Sequence, residues 1–291
     1  MNDSARPVTA ASDAGLVPAS DLRSGTALLG AGVVVIWNDV KPEGRDAFYG
    51  WHDKEHIPER LALPGFLRGR RYRCEGHSPE WLTLYEAADL GAVSSREYLA
   101  RLNAPTPLTK ATLVHFANTS RAVCIKSASL GSSSGGFVLA LRLDPTDEFL
   151  RAWRGGGDAQ PTGDAAASRG DSIAIARAGA VAAKCAAWAV SDRLESACAT
   201  NGIVAAHYLA TDVASSYTST AESKTRRFDV PAAVVLVEAT NPDAARSARD
   251  RLIGDSWSEH GLTVRADHAV YALEISRLAQ AEANTPSSGE H

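Results

Sequence analysis

The stretch "WLTLYEAADLGAVSSREYLARL" (81–102) passes from a hydrophobic strand-like run, through a polar turn, into a run with helical spacing. The same grammar returns in "AVVLVEATNPDAARSARDRL" (233–252), and Glu86 and Glu238 each follow the hydrophobic run. Such self-similarity argues for a duplicated unit and says nothing about activity.

Working outward from 81–102, the first copy completes itself. "LLGAGVVVIWNDV" (28–40) is a Val/Ile-rich strand. "GRDAFYGWHDKEHIPERLAL" (44–63) places Phe48, Trp51, Glu55 and Leu61 at roughly helical spacing. "FLRGRRYRCEG" (66–76) and "EWLTLYEAAD" (80–89) are strands joined through Gly76, Ser78 and Pro79. "SSREYLARLNA" (94–104) is a helix with Ser94 and Glu97 in capping-box positions, and "TLVHFANTSRAVCIK" (112–126) is the closing strand. The order β-α-β-β-α-β is the ferredoxin-like split unit.

The second copy follows the same order. "GGFVLALRLDPTDEFLRAW" (135–153) parallels "GVVVIWNDVKPEGRDAFYGW" (32–51), and "IVAAHYLATD" (203–212) follows Gly202 as "FLRGRRYRCE" follows Gly65. "LTVRADHAVYALEIS" (262–276) closes it. The expected division is a polar tail (1–24), a first unit (25–128), a Gly/Ser linker (129–136), a second unit (137–279) and a second tail (280–291). An insertion at about 154–187 begins in low complexity, and its 172–187 portion suits helix and strand equally, so Trp188 is a candidate counterpart of Trp51. A further insertion around 213–228 lengthens the turn between the second unit's middle strands.

The totals exclude several classes. A chain of 291 residues, 45% hydrophobic and 22% charged, fits a two-domain globular protein. A net charge of −4 gives no footprint for nucleic acid, and Arg68, Arg70, Arg71 and Arg73 read as the faces of a strand. No secretion signal or run of about 20 apolar residues is present, so a cytoplasmic location and no membrane partner are expected. Cys74, Cys124, Cys185 and Cys198 have no C-x-x-C spacing and are expected as free thiols.

"WHDKEHIPERLALPGF" (51–66), with "GRRYR" and "LTLYEA" behind it, resembles the dimeric α+β-barrel superfamily, in particular its EthD-like members. The resemblance implies two antiparallel four-stranded sheets face to face, helices outside, and a pocket between sheet and helices. In a tandem duplication one chain supplies both halves. Members include cofactor-free monooxygenases, isomerases, lyases and haem binders. By this resemblance His56 is the pocket histidine.

His52, Glu55 and His56 also spell H-x-x-E-H, the pattern of one class of zinc peptidase. Pro58 argues against that reading, because it should kink or stop the helix that carries both ligands. No third ligand follows by pattern, and no metal is expected. A histidine at a broken helix end suits acid–base chemistry, favoured there by about 0.3–1 kcal/mol from the helix dipole. His56 is therefore expected as the proton-transfer residue, with Glu55 or Arg70 as polarising partner. Trp51, Phe66, Tyr72 and Tyr85 are the expected pocket walls, and Arg70 and Tyr72 share a strand face. His52, Asp53, Lys54 and Glu59 are expected as a solvated face, and Arg60 as a surface partner of Glu55 or Glu59. No cofactor is expected. If haem binds, His56, His115 and His207 are the candidate axial ligands. The second copy lacks the His–Glu pair, so one working site per chain is expected. The expected function is a lyase, isomerase or cofactor-free monooxygenase acting on a small apolar or aromatic, carbonyl-bearing molecule. The alternatives are a non-catalytic binder of the same fold, or a haem or zinc enzyme. Self-association into a homo-oligomer is also expected.

Overall fold

The structure is a computed structural model that describes residues 26–148, 185, 188–225 and 229–280. The first expected tail, the second beyond Gln280, and most of the 154–187 insertion lie outside the described residues.

The first unit runs β1 (Gly32–Val40), α1 (Arg45–Trp51), a π-helical turn (His52–His56), α2 (Ile57–Leu61), β2 (Phe66–Arg73) and β3 (Trp81–Ala87). It continues with the short α3 (Leu90–Val93), α4 (Arg96–Asn103), α5 (Pro107–Leu113) and β4 (Phe116–Leu130). The second unit runs β5 (Phe137–Pro145), a π-helical turn (Ala189–Leu194), α6 (Glu195–Cys198), β6 (Ile203–Thr211), α7 (Val213–Ser216) and β7 (Ala233–Ala239). It closes with α8 (Pro242–Leu252), β8 (Leu262–Val264) and β9 (Ala269–Leu278).

All named strand pairings are antiparallel, in the order β7-β6-β4-β1-β3-β2-β9-β5, and a β7–β5 pairing closes the ring. β8 and β9 lie along the same edge of β5, so together they replace the single closing strand expected over 262–276. Each unit keeps the ferredoxin-like order, and the seams β4–β6 and β2–β9 join the two into an eight-stranded barrel. The expected tandem α+β barrel is present.

Side-chain alternation gives the wall two faces. The inner face packs Val33, Val35 and Trp37 of the first unit against Val138, Leu209 and Leu236 of the second. The outer faces carry separate cores under each unit's own helices. Three local expectations change. The cap of α4 is Ser95, whose hydroxyl accepts from Tyr98 N, because the helix starts one residue later than the Ser94 reading. Residues 112–115 belong to α5 and its end rather than to a strand, and Thr106 with Pro107 was the missed start signal. The linker is shorter, since β4 continues to Leu130 before Gly131 turns the chain with φ of +80°.

Among the described residues, no helix is long and apolar enough to cross a membrane.

Candidate functional site

The helix carrying the H-x-x-E-H residues does not stop at Pro58. At the π turn the Ile57 N–H reaches back five residues to His52 O, and Pro58 falls in the first turn of α2, where a missing N–H costs nothing. The break is absorbed as one wide turn. The second unit repeats the device at Ala189–Leu194, and Trp188 precedes it as Trp51 precedes the first.

The wide turn swings both histidines onto the sheet. Their rings lie 5.7 Å apart at 24°, and both side chains are buried. His52 therefore leaves the expected solvated face. Asp53 pairs with Arg71 and Glu59 with Arg101 at 2.8 Å, while Lys54 is exposed as expected.

A cavity of about 60 Å³ lies between this helix, the outer face of the sheet, α4 and residues 215–223 of the second unit. Its aromatic wall is Phe48, Trp51, Tyr85, Tyr98 and Phe116, and its polar groups include His52, His56, Arg60, Arg121 and Glu222. The His56 ring lies 4.2 Å from the Trp51 ring and 6.1 Å from that of Tyr85.

His52 has a defined protonation state. Arg71 Nη1 sits 3.0 Å from Nδ1, and the Tyr85 hydroxyl sits 3.4 Å from Nε2. Burial, with the Arg71 charge behind it, holds the His52 pKa well below the usual imidazole range. Arg71 can only donate, so Nδ1 accepts and the proton of the neutral ring lies on Nε2, toward Tyr85. Burial pushes the Tyr85 phenol far up, so it stays neutral too.

Of the expected site residues, His56, Trp51 and Tyr85 meet in this pocket. Phe66 packs behind it against Tyr85 and Tyr98. Glu55 reaches toward α5. It accepts from Thr106 Oγ1 at 2.5 Å, which ties the helix to the start of α5. Arg70 and Tyr72 do share a face, but it is the barrel interior. Tyr85 stands opposite Gly69 in the β2–β3 register, so it shares the outer face with Arg71, and residues 70 and 72 point the other way. Arg70 instead pairs with Glu86 at 2.8 Å and Glu238 at 2.9 Å. Arg60 is no surface residue: it is buried and pairs with Glu222 at 2.9 Å. It stands four residues after His56, so helical spacing was the available signal for it.

Zinc does not fit here. Arg71 occupies His52 Nδ1 and repels a cation, and among the described residues no cluster of His, Cys, Asp or Glu could hold a metal ion. With the pocket closed as it stands, there is no room for haem beside His56 either. A macrocycle far exceeds the cavity beside His56, His115 packs its ring against Gly44, and His207 is buried in the barrel with Nδ1 at 2.8 Å from Ser129 Oγ.

No protein-family model matches the chain, and no curated protein matches it. The strand order and the two seams decide the architecture. The fold is an eight-stranded antiparallel α+β barrel closed by two ferredoxin-like units of one chain. Solved structures similar to this α+β barrel include an anthrone oxidase-like protein, at 11% identity and a TM-score of 0.43, covering 92% of this chain and 98% of that one. A chlorite dismutase variant from Candidatus Nitrospira defluvii is similar at 9% identity and 0.44, covering 84% and 92%. A protein assigned as a monooxygenase, from Fusobacterium nucleatum, is similar at 10% and 0.41, covering 87% and 94%. At this distance the likenesses carry no weight for the reaction.

Proposed function

We propose that this α+β barrel is a small-molecule enzyme using general acid–base chemistry at the first unit's pocket, with His56 as the proton-transfer residue. The reaction class is lyase, isomerase or cofactor-free monooxygenase, and the substrate is a small aromatic molecule bearing a carbonyl. One observation carries the reading. Two buried imidazoles lie on an aromatic wall beside a cavity, and the tautomer of one is fixed by Arg71 and Tyr85.

His52 then acts as a positioning residue, presenting a neutral ring and a fixed Tyr85 hydroxyl. His56 packs between Trp51 and Tyr85, and its imidazole gives or takes the proton of a ligand held on the aromatic wall. A positioned acid–base group contributes about 10²–10⁴-fold to a rate. His56→Ala is expected to lower turnover of an accepted aromatic ketone by a factor in that range, with the fold retained and only the modest loss of melting temperature that emptying a buried position brings. Retained turnover with a large loss of stability would make His56 a packing residue.

A further inference from the structure

The pocket has a wall that the first unit does not supply. Residues 213–223 of the second unit fold over it, lining it with Ser215, Ser216, Thr218, Thr220, Glu222 and Ser223. This strap is tied at its start by Asp212 N to Val123 O at 2.8 Å and by Val123 N to Ser216 Oγ at 2.9 Å. Its far end is held by Ala221 N to Asn103 Oδ1 at 3.0 Å, Glu222 N to Leu102 O at 3.3 Å, and the Glu222 carboxylate on Arg60.

Arg60 is 3% exposed. Its Nη2 donates to Glu222 Oε1 at 2.9 Å, and its guanidinium lies 5.6 Å from the Tyr98 ring. Nη1, equally buried, has no hydrogen-bond partner among the described residues. A guanidinium fork is built to hold a carboxylate with two parallel bonds. Arg121 lines the same pocket, and its Nη2 donates to Tyr98 OH at 3.3 Å. Arg60 and Arg121 thus line a pocket whose one lining carboxylate is Glu222, and His52 stays neutral.

We infer that Arg60 is the anion-recognition residue of this pocket, and that its ligand is a small aromatic carboxylate whose charged group displaces Glu222 from Arg60. The inference rests on the reading of this pocket as the ligand site. It also accounts for the size of the cavity. The cavity, about 60 Å³ as it stands, is well below the ~150 Å³ that takes a benzene ring, so an aromatic ring enters only when the strap gives way. Exchanging one carboxylate for another on Arg60 releases the strap without leaving the buried cation bare.

The test uses benzoate and its neutral isostere benzamide as probes, by titration calorimetry, with the His56 ring signals followed by nuclear magnetic resonance. Wild type is expected to bind benzoate at least tenfold more tightly than benzamide. Glu222→Gln should raise benzoate affinity severalfold and by more than it raises benzamide affinity, because the resident competitor is gone as well as one tie of the strap. Arg60→Gln should erase the preference. If that variant does not fold, Arg60→Lys decides instead, since it keeps the charge, loses the fork and should reduce the preference. Equal affinity for the two probes in wild type, or a preference intact in the Arg60 variants, overturns the role of Arg60 and leaves the pocket reading standing. Benzoate affinity unmoved by Glu222→Gln overturns the displacement. Failure of both probes to bind or to shift the His56 signals overturns the pocket reading together with the inference.

Discussion

His52 and His56 differ by four positions and by role. Burial and Arg71 keep His52 neutral in the folded state, whereas in the unfolded chain it takes a proton below about pH 6.5. The folded pKa is the lower one, so this stabilisation is complete above about pH 6.5 and is lost as pH falls, by at most ~1.4 kcal/mol per pH unit per histidine. His207, lowered by its own burial, acts in the same direction. Thermal unfolding between pH 7 and 5 should therefore show a falling melting temperature, and His52→Gln should flatten that fall. An unchanged slope would mean that His52 is protonated in the fold. The sequence made His56 legible, because the motif around it pointed to a pocket. It concealed His52, which lies at the start of a wide helical turn that no spacing rule anticipates, whereas Arg60 was signalled only by its place four residues after His56.

Among elements, that wide turn and the glycine behind it do the positioning. In each unit the π turn leads to a short helix and then to a glycine with positive φ, +81° at Gly65 and +89° at Gly202. A Cβ on Gly65 would stand 2.6 Å from Ala92 Cβ, and one on Gly202 2.9 Å from Ala244 Cβ. Gly65→Ala and Gly202→Ala should each destabilise by more than about 1 kcal/mol, from left-handed strain plus collision. Gly50, in helix α1 with open space around its Cβ position, is the control, and Gly50→Ala should stabilise by about 0.5–1 kcal/mol. Urea unfolding of the three variants checks both signs. The repeat of strands and helices was legible because side-chain period fixes it. The strand faces were not, since alternation groups Arg70 with Tyr72 without saying which side is the barrel interior.

At the scale of the whole molecule, the barrel closes within one chain, and charge is buried where its halves meet. Arg70 is 1% exposed and bridges Glu86 of its own unit to Glu238 of the other. Burial pushes the Glu238 carboxyl up, but His207 and Arg70 outweigh it and leave the pKa at about 2. Removing the cation takes one charged partner from each of two buried carboxylates, leaving Glu86 with Arg68 and Glu238 with the Gly135 N–H. Arg70→Met should cost about 3–5 kcal/mol, and adding Glu238→Gln should recover part of that loss. Equal stability of the single and double variants in urea would show that the two groups do not couple. The tandem architecture was legible from the duplicated strings, whereas the strap over the pocket was visible only as an insertion around 213–228. Its place over the other unit follows from the β4–β6 seam, which no local pattern encodes.

The central claim is that the first unit's pocket moves protons through His56. Solvent-deuterium exchange tests it without knowledge of the natural reaction. A panel of enolisable aromatic ketones is incubated with the protein in deuterium oxide, and label at the carbon beside the carbonyl is read by proton resonance. Wild type should wash deuterium into at least one ketone faster than buffer, and His56→Ala should slow that exchange by about 10²–10⁴-fold. Exchange unaffected by the substitution, or ketones that bind without any exchange, would contradict the account and leave a binding protein with this fold.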